Sequence, residues 1–233
     1  MILSQRWERE KSRCNVNKGN GLLLGNIGGV PPTDVVIIGD GTVGEFAARS
    51  ALGLGARVKV FDNSITKLRK LQHCLNTPIY TSTIQPKTLA KALRRCDVAV
   101  GSIRGKERTP VVVSDATIQT MKKGAIIVDV SIDRGGCFET SKVTSHSNPT
   151  FEKHGVIHYC VTNMPGAVPL TATEALNKAT LPYILKLADK GIDNALLENP
   201  HLANGLNIHK RCIVHEAVKE ALDSPLLNDN DIT

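Results

Sequence analysis

The chain has 233 residues, 41% of them hydrophobic and 3% aromatic, and a formal net charge of +7. That length buries a sizeable core, no apolar run approaches the ~20 residues of a membrane span, and so few aromatics leave a nucleic-acid surface without stacking partners. Residues 1–20 are polar and charged, unlike a secretory leader, and read as a short helix or a tail.

Positive charge gathers at Arg6, Arg9, Lys11, Arg13 and Lys18, at Lys67, Arg69 and Lys70, and at Arg94, Arg95, Arg104, Lys106 and Arg108. A face that meets an anionic small molecule is the simplest account of it. The six cysteines (Cys14, Cys74, Cys96, Cys137, Cys160 and Cys212) are scattered with no C-x-x-C spacing. Reduced thiols in a cytoplasmic protein fit better than a disulfide framework or a zinc ribbon. His154 and His158 stand four apart, but Gly155 and the β-like run after it argue against a shared helix face, so no metal site is expected.

In chain order, a glycine-rich approach over 21–32 leads into Val35-Val36-Ile37-Ile38, a buried strand. Gly39-Asp40-Gly41-Thr42-Val43-Gly44 follows at once, and a helix is expected over 42–54. Strands are expected over 57–61, 78–81, 97–101, 125–130 and 156–161, and helices over 64–74, 86–95 and from the Ser114 cap to Met121. Strands alternating with helices of about ten residues predict right-handed βαβ units, a doubly wound parallel sheet of Rossmann type, and helices on both faces. Beyond a loop over 163–169, a long helix is expected from Thr171 or Thr173 to Lys190, kinked at Pro182. Helical pieces over 194–202 and 212–222 and a disordered tail over 223–233 complete the reading. The organisation is a tail or linker over 1–30, a dinucleotide domain over 31–166 and a helical segment over 167–222.

The strand, the G-x-G-x-x-G turn and the helix stand in the order that dinucleotide binding requires. Gly39 lets the chain turn, Gly41 leaves room for a pyrophosphate, and Gly44 lets helix and strand pack closely. The phosphates then sit on the N–H groups of the helix start. Asp62 ends the second strand, where an acidic residue holds the adenosine ribose hydroxyls of NAD; a plain helix-capping role is the alternative. Asp40 is unexpected, because a carboxylate between the first two glycines repels a pyrophosphate unless it points away.

Two later stretches are more specific: Val128-Asp129-Val130-Ser131-Ile132-Asp133-Arg134-Gly135-Gly136-Cys137-Phe138-Glu139 and His158-Tyr159-Cys160-Val161-Thr162-Asn163-Met164-Pro165-Gly166. With the glycine turn and Ala179-Thr180-Leu181-Pro182-Tyr183 they resemble the alanine dehydrogenase family, to which the related domain of NAD(P) transhydrogenase is also similar. The resemblance spans about residues 21–222. It implies NAD-dependent oxidative deamination of L-alanine to pyruvate and ammonia. It places Gly39, Gly41, Thr42, Val43 and Gly44 at the pyrophosphate, Asp62 and Lys67 at the adenosine ribose, and Val130, Ser131, Ile132, Asp133, Val161, Thr162, Asn163 and Met164 on the nicotinamide side. Asp133 matches the catalytic aspartate; as a turn residue it would instead cap local N–H groups. Cys137 is read as structural, since hydride transfer needs no nucleophile.

The chain also departs from that pattern. In the family a substrate domain precedes the nucleotide domain and supplies an arginine, a lysine and a histidine; about thirty residues here are too few for it. Arg134 stands where a neutral amide is usual and is expected to compete for Asp133 or to pair with it. The apolar residues Leu176, Leu181, Ile184 and Leu185 of the long helix need another cover, which implies a homo-oligomer or a separate substrate-domain partner. The alternative function is an NAD(H)-binding module without catalysis of its own. A methyltransferase that uses the same turn for S-adenosylmethionine is disfavoured by the Asp133 and Asn163-Met164-Pro165 matches.

Overall fold

In the computed structural model, residues 21–105, 108–209, 212–215 and 218–219 are described. The expected tail over 1–20, Lys106, residues 216, 217 and 220–222 of the expected helix over 212–222, and the tail from Asp223 lie outside them. The chain divides into two compact units between Pro169 and Leu170.

The first unit is built on the expected alternation: β1 (Asp34–Ile38), α1 (Thr42–Gly53), β2 (Arg57–Phe61), α2 (Ile65–Leu75), β3 (Tyr80–Ser82), α3 (Pro86–Leu93), β4 (Val98–Gly101), α4 (Asp115–Gln119), β5 (Ile126–Asp129), β6 (Thr150–Lys153) and β7 (Val156–Tyr159). Among the described residues the strands form one seven-stranded sheet in the order β3-β2-β1-β4-β5-β7-β6. All neighbouring pairs are parallel except β6 with β7. The chain winds outward from β1 in one direction and then crosses to β4 on its other side, so the topological switch lies between β1 and β4.

Alternation along each strand explains why both faces are covered. Val35 and Ile37 of β1 join Val58, Val60, Val98, Val100, Ile126 and Val128 in one core with Ala48 and Ala51 of α1 and Leu68 and Leu71 of α2. Val36, Ile38, Ala99 and Ile127 join Leu89, Leu93, Ile118 and Phe138 on the opposite face. A parallel sheet buried on both sides reads as continuous apolar runs, and β1 does so.

β6 departs from the expected pattern. The stretch before Val156 is an antiparallel edge strand joined to β7 through His154 and Gly155, both with positive φ. Two such residues make the tight turn whose twist suits a hairpin.

The second unit also differs in detail. α5 (Pro169–Lys190) begins at Pro169 rather than at Thr171 or Thr173, because proline is well suited to a first helical position, and it continues through Pro182. The helix expected over 194–202 is two pieces, α6 (Ile192–Glu198) and α7 (Pro200–Ala203). They part at Asn199, whose side chain accepts hydrogen bonds from the N–H groups of His201 and Leu202. Cys212 and Ile213, expected in a helix, form β9 (Cys212–Ile213), paired antiparallel with β8 (Ile208–His209). No residue of α5 is buried, and Leu176, Leu181, Ile184 and Leu185 are exposed.

Candidate functional site

The expected residues fall at the C-terminal ends of β1, β2, β5 and β7, the edge where open α/β sheets place their ligands. Three glycines after β1 have separate jobs. Gly39 has φ +103, and a Cβ on it would lie 2.7 Å from the Ser102 carbonyl group. A Cβ on Gly44 would lie 2.0 Å from the Gly39 carbonyl oxygen, so α1 meets the turn only because that residue is bare. Gly41, by contrast, has open space where a Cβ would stand. It is the N-cap of α1 and no side chain caps it, so the first N–H groups of the helix are left for an incoming anion. Ser102, just after β4, holds the turn: its Oγ donates to the Gly39 carbonyl at 2.7 Å.

Asp62 is held beside this turn. Its Oδ2 accepts the Asp40 N–H at 2.7 Å and its Oδ1 the Ser64 N–H at 2.7 Å. The cap of α2 is Ser64, which accepts from the Lys67 N–H. Asp62 therefore ties the second strand to the glycine turn. Lys67 stands in the first turn of α2 with Nζ 4.0 Å from Asp62 Oδ2. Asp40 is buried, and its Oδ2 has no hydrogen-bond partner. Burial first, then the carboxylates of Asp62 and Glu45, push its carboxyl up to about 6, against the pull of Lys67 and Lys70.

The other cluster follows β5. Val130 donates its N–H to the Gly101 carbonyl, and Ser131 Oγ donates to the Ile103 carbonyl at 2.8 Å. Ile132 is buried and anchors the turn that leaves Asp133 exposed. Asp133 Oδ1 accepts the N–H of Asn163 at 3.1 Å, so the structure joins the two motif stretches thirty residues apart. Asn163 is left-handed at φ 48, Val161 and Met164 are buried around it, and Thr162 is half-buried. Arg134 Nη1 donates to the Gly105 carbonyl at 3.3 Å.

Beneath this turn lies a residue that spacing did not single out. Asp129, fully buried at the end of β5, accepts from the N–H groups of Ser131 (3.0 Å) and Cys137 (2.9 Å) and from Ser141 Oγ (2.7 Å). Gly136 is bare for the same reason, since a Cβ there would lie 2.6 Å from Asp129 Oδ2. Burial raises the Asp129 carboxyl against these three donors and a fourth, the Phe138 N–H at 3.4 Å. The only sequence signal was an acidic residue closing an otherwise apolar strand. Burial and Asp129 push the Cys137 thiol well up, which leaves it a packing residue rather than a nucleophile. His158 is engaged at both ring nitrogens, by the Val156 carbonyl and Thr140 Oγ1, and burial lowers it to about 4. Among the described residues no cluster of three or more His, Cys, Asp or Glu side chains has a metal-binding arrangement, and no helix is long and apolar enough to cross a membrane.

Comparison with known proteins gives this edge a context. The family model described as the alanine dehydrogenase/PNT C-terminal domain matches residues 11–216. The chain is 45% identical over 208 residues to an alanine dehydrogenase of Mycolicibacterium smegmatis, covering 89% of this chain and 56% of that relative. It is 46% identical to one of Halomonas elongata, covering 87% of this chain and 55% of that relative. The chain thus spans just over half the length of the curated relatives it matches. A solved L-alanine dehydrogenase superposes with a TM-score of 0.88 at 40% identity, covering 95% of this chain and 62% of that one. A transhydrogenase from Sinorhizobium meliloti, at 18% identity and a TM-score of 0.69, shares the fold.

Proposed function

The chain belongs to the family of the alanine dehydrogenase/PNT C-terminal domain, and on that premise we propose that it forms the NAD(H)-binding half of an alanine dehydrogenase, which deaminates L-alanine oxidatively to pyruvate and ammonia. One observation carries the reading. The glycine turn, Asp62 and the Asp133–Asn163 pair stand on one edge of one sheet, with Gly41 bare and the α1 start uncapped. The residues present fit a dinucleotide.

In this reading Gly39, Gly41, Thr42, Val43 and Gly44 hold the pyrophosphate, and Asp62 accepts from the adenosine ribose hydroxyls with Lys67 beside it. Asp62 is pre-oriented for that task by two backbone N–H groups, which leaves its remaining lone pairs to the sugar. Val130, Ser131, Ile132, Val161, Thr162 and Met164 form the wall against which the nicotinamide lies. When bound, NAD supplies the acceptor for the hydride that leaves the alanine α-carbon. Asp133, fixed by Asn163, faces the cationic imine character that develops as that hydride leaves and orders the water that attacks it. The carboxylate and carbonyl of the substrate are held by groups from a substrate domain, in this polypeptide or in a partner. A cytoplasmic homo-oligomer completes the reading, with the apolar face of α5 as its contact.

A second reading follows from the half-length match: the chain binds NAD(H) and leaves alanine chemistry to that other domain. The test has two parts. Titration of the chain with NADH, followed by its fluorescence, reads binding; alanine-dependent formation of reduced nicotinamide reads turnover. Binding with turnover, by the chain alone or joined to a substrate domain, supports the dehydrogenase; binding without turnover in either form supports the module; and no binding refutes both.

A further inference from the structure

We propose that Asp40 makes dinucleotide binding by this chain proton-linked: the glycine turn accepts the pyrophosphate with the Asp40 carboxyl protonated, and a proton enters from solution as the dinucleotide binds. The inference rests on the cofactor site above. Asp40 stands between Gly39 and Gly41, in the one segment whose task is to bring N–H groups up to an anion. The residue is only 6% exposed and its Oδ2 is buried without a hydrogen-bond partner. The backbone N–H of the same residue is committed to Asp62 Oδ2, which fixes the two acids side by side.

An ionised carboxylate in that place lacks the donors that make buried charge tolerable, whereas a protonated one needs fewer of them. The groups around it do not remedy this. Asp62 at the end of β2 and Glu45 in the first turn of α1 are negative; Lys67 and Lys70 on α2 are the cations that oppose them. From the end of β4, Ser102 presents a hydroxyl already donated to Gly39. Burial and the two acids prevail, and the free carboxyl titrates at about 6. A pyrophosphate seated at Gly41 brings more negative charge and expels water, and both favour the neutral carboxyl further. The pyrophosphate itself stays fully ionised across this range, so the proton belongs to the protein.

The direction follows. Well below pH 6 the free chain already holds the proton and binding is indifferent to pH. Above it, binding requires proton uptake, and the dissociation constant rises by up to about tenfold per pH unit until the bound form also ionises. The experiment is calorimetric titration of the full chain with ADP-ribose, which carries the pyrophosphate but no nicotinamide and so excludes a contribution from Asp133. It is run from about pH 5 to about pH 8, in buffers of differing ionisation enthalpy. Wild type is expected to take up a fraction of a proton near neutrality and to weaken at least about tenfold across the range. Asp40→Asn is expected to take up none and to bind at the alkaline end as tightly as wild type does at the acid end. Asp40→Ser serves the same purpose if the asparagine variant melts abnormally. Binding by wild type with a flat pH profile, or a wild-type slope retained in the variant, overturns this inference alone. No binding of ADP-ribose or NADH at any pH overturns the cofactor site as well.

Discussion

Asp129→Ala is expected to loosen the turn that presents Asp133. The carboxylate is fully buried and receives two close main-chain N–H groups, from Ser131 and Cys137, at 3.0 and 2.9 Å, a longer one from Phe138 at 3.4 Å, and the Ser141 hydroxyl at 2.7 Å. Alanine strands the two N–H groups in a dry site at about 1–3 kcal/mol each. The hydroxyl can turn to other partners, and removing a desolvated charge returns part of the cost. The net expectation is a loss of about 3–5 kcal/mol, a large share of the ~5–15 kcal/mol that holds a domain together. Asparagine keeps one acceptor oxygen for Cys137 and Ser141 and opposes its amide to the Ser131 N–H, so about 1–2 kcal/mol is expected. Urea unfolding gives both numbers, and hydrogen exchange at residues 131–141 reports where the loss lies. An alanine variant within about 1 kcal/mol of wild type, with unaltered exchange in that segment, refutes the claim that Asp129 organises the turn.

Asp62→Ala is expected to weaken NADH binding by about 1–3 kcal/mol, since it strands ribose hydroxyls, and wild type should prefer NAD to NADP because the same carboxylate repels a 2′-phosphate. Unchanged affinity in calorimetry, or equal affinity for both dinucleotides, contradicts that role. Gly41→Val and Gly44→Ala should separate binding from folding. The first enters open space and should abolish dinucleotide binding with little change in melting; the second forces contact with the Gly39 carbonyl and should destabilise the fold by about 1–3 kcal/mol. Asp40 also sets a pH dependence of stability. Its folded value, about 6, lies above the unfolded carboxylate value, so its penalty is absent where both states are protonated, grows as pH rises and is complete above about 6. Asp40→Asn is therefore expected to raise the melting temperature at neutral pH and to leave it unchanged under acid conditions; equal shifts at both contradict the burial argument.

Much of the fold is legible because parallel strands buried on both faces have few residues to choose from. β1 and β5 are nearly continuous runs of valine and isoleucine, and the glycines after β1 mark the turn by exclusion of side chains. β6 escaped that reading because Thr150-Phe151-Glu152-Lys153 is a short edge strand whose outer side needs no apolar residue. Its signal was the His154-Gly155 turn, which makes sense only once a partner strand exists. β9 depended in the same way on pairing with Ile208 and His209. Among site residues, Asp62 and Asp133 lay at strand ends or turns in recognisable patterns. Asp40 was marked in the sequence only as a charge out of place in the glycine turn, and Asp129 only as the acid closing β5; what distinguishes them is burial and the direction of nearby N–H groups, and those arise only when segments distant in sequence close around them.

The two ends of the sheet divide the labour of the chain's charges. At the N-terminal ends of the strands, Arg57 pairs with Asp34 and Lys122 with Asp97, whose Oδ2 also accepts the Asp34 N–H. Each carboxylate there has a cation, so the charges are settled and the edge is structural. At the C-terminal ends the acids are met by N–H groups instead: Asp62 by Asp40 and Ser64, Asp129 by Ser131 and Cys137, Asp133 by Asn163. Backbone donors fix a carboxylate in place without cancelling its charge, which leaves Asp62 and Asp133, unlike the fully buried Asp129, able to act on a third molecule. β4 joins the two clusters on this edge, since its end and the residues after it hold Gly39 through Ser102, Val130 through Gly101, and Ser131 through Ile103. The glycine turn and the cluster after β5, the proposed adenosine and nicotinamide ends of the site, are therefore not independent. A displacement of the segment from Gly101 to Ile103, a short stretch that carries no recognisable motif of its own, is expected to move both, because both are hydrogen-bonded to it.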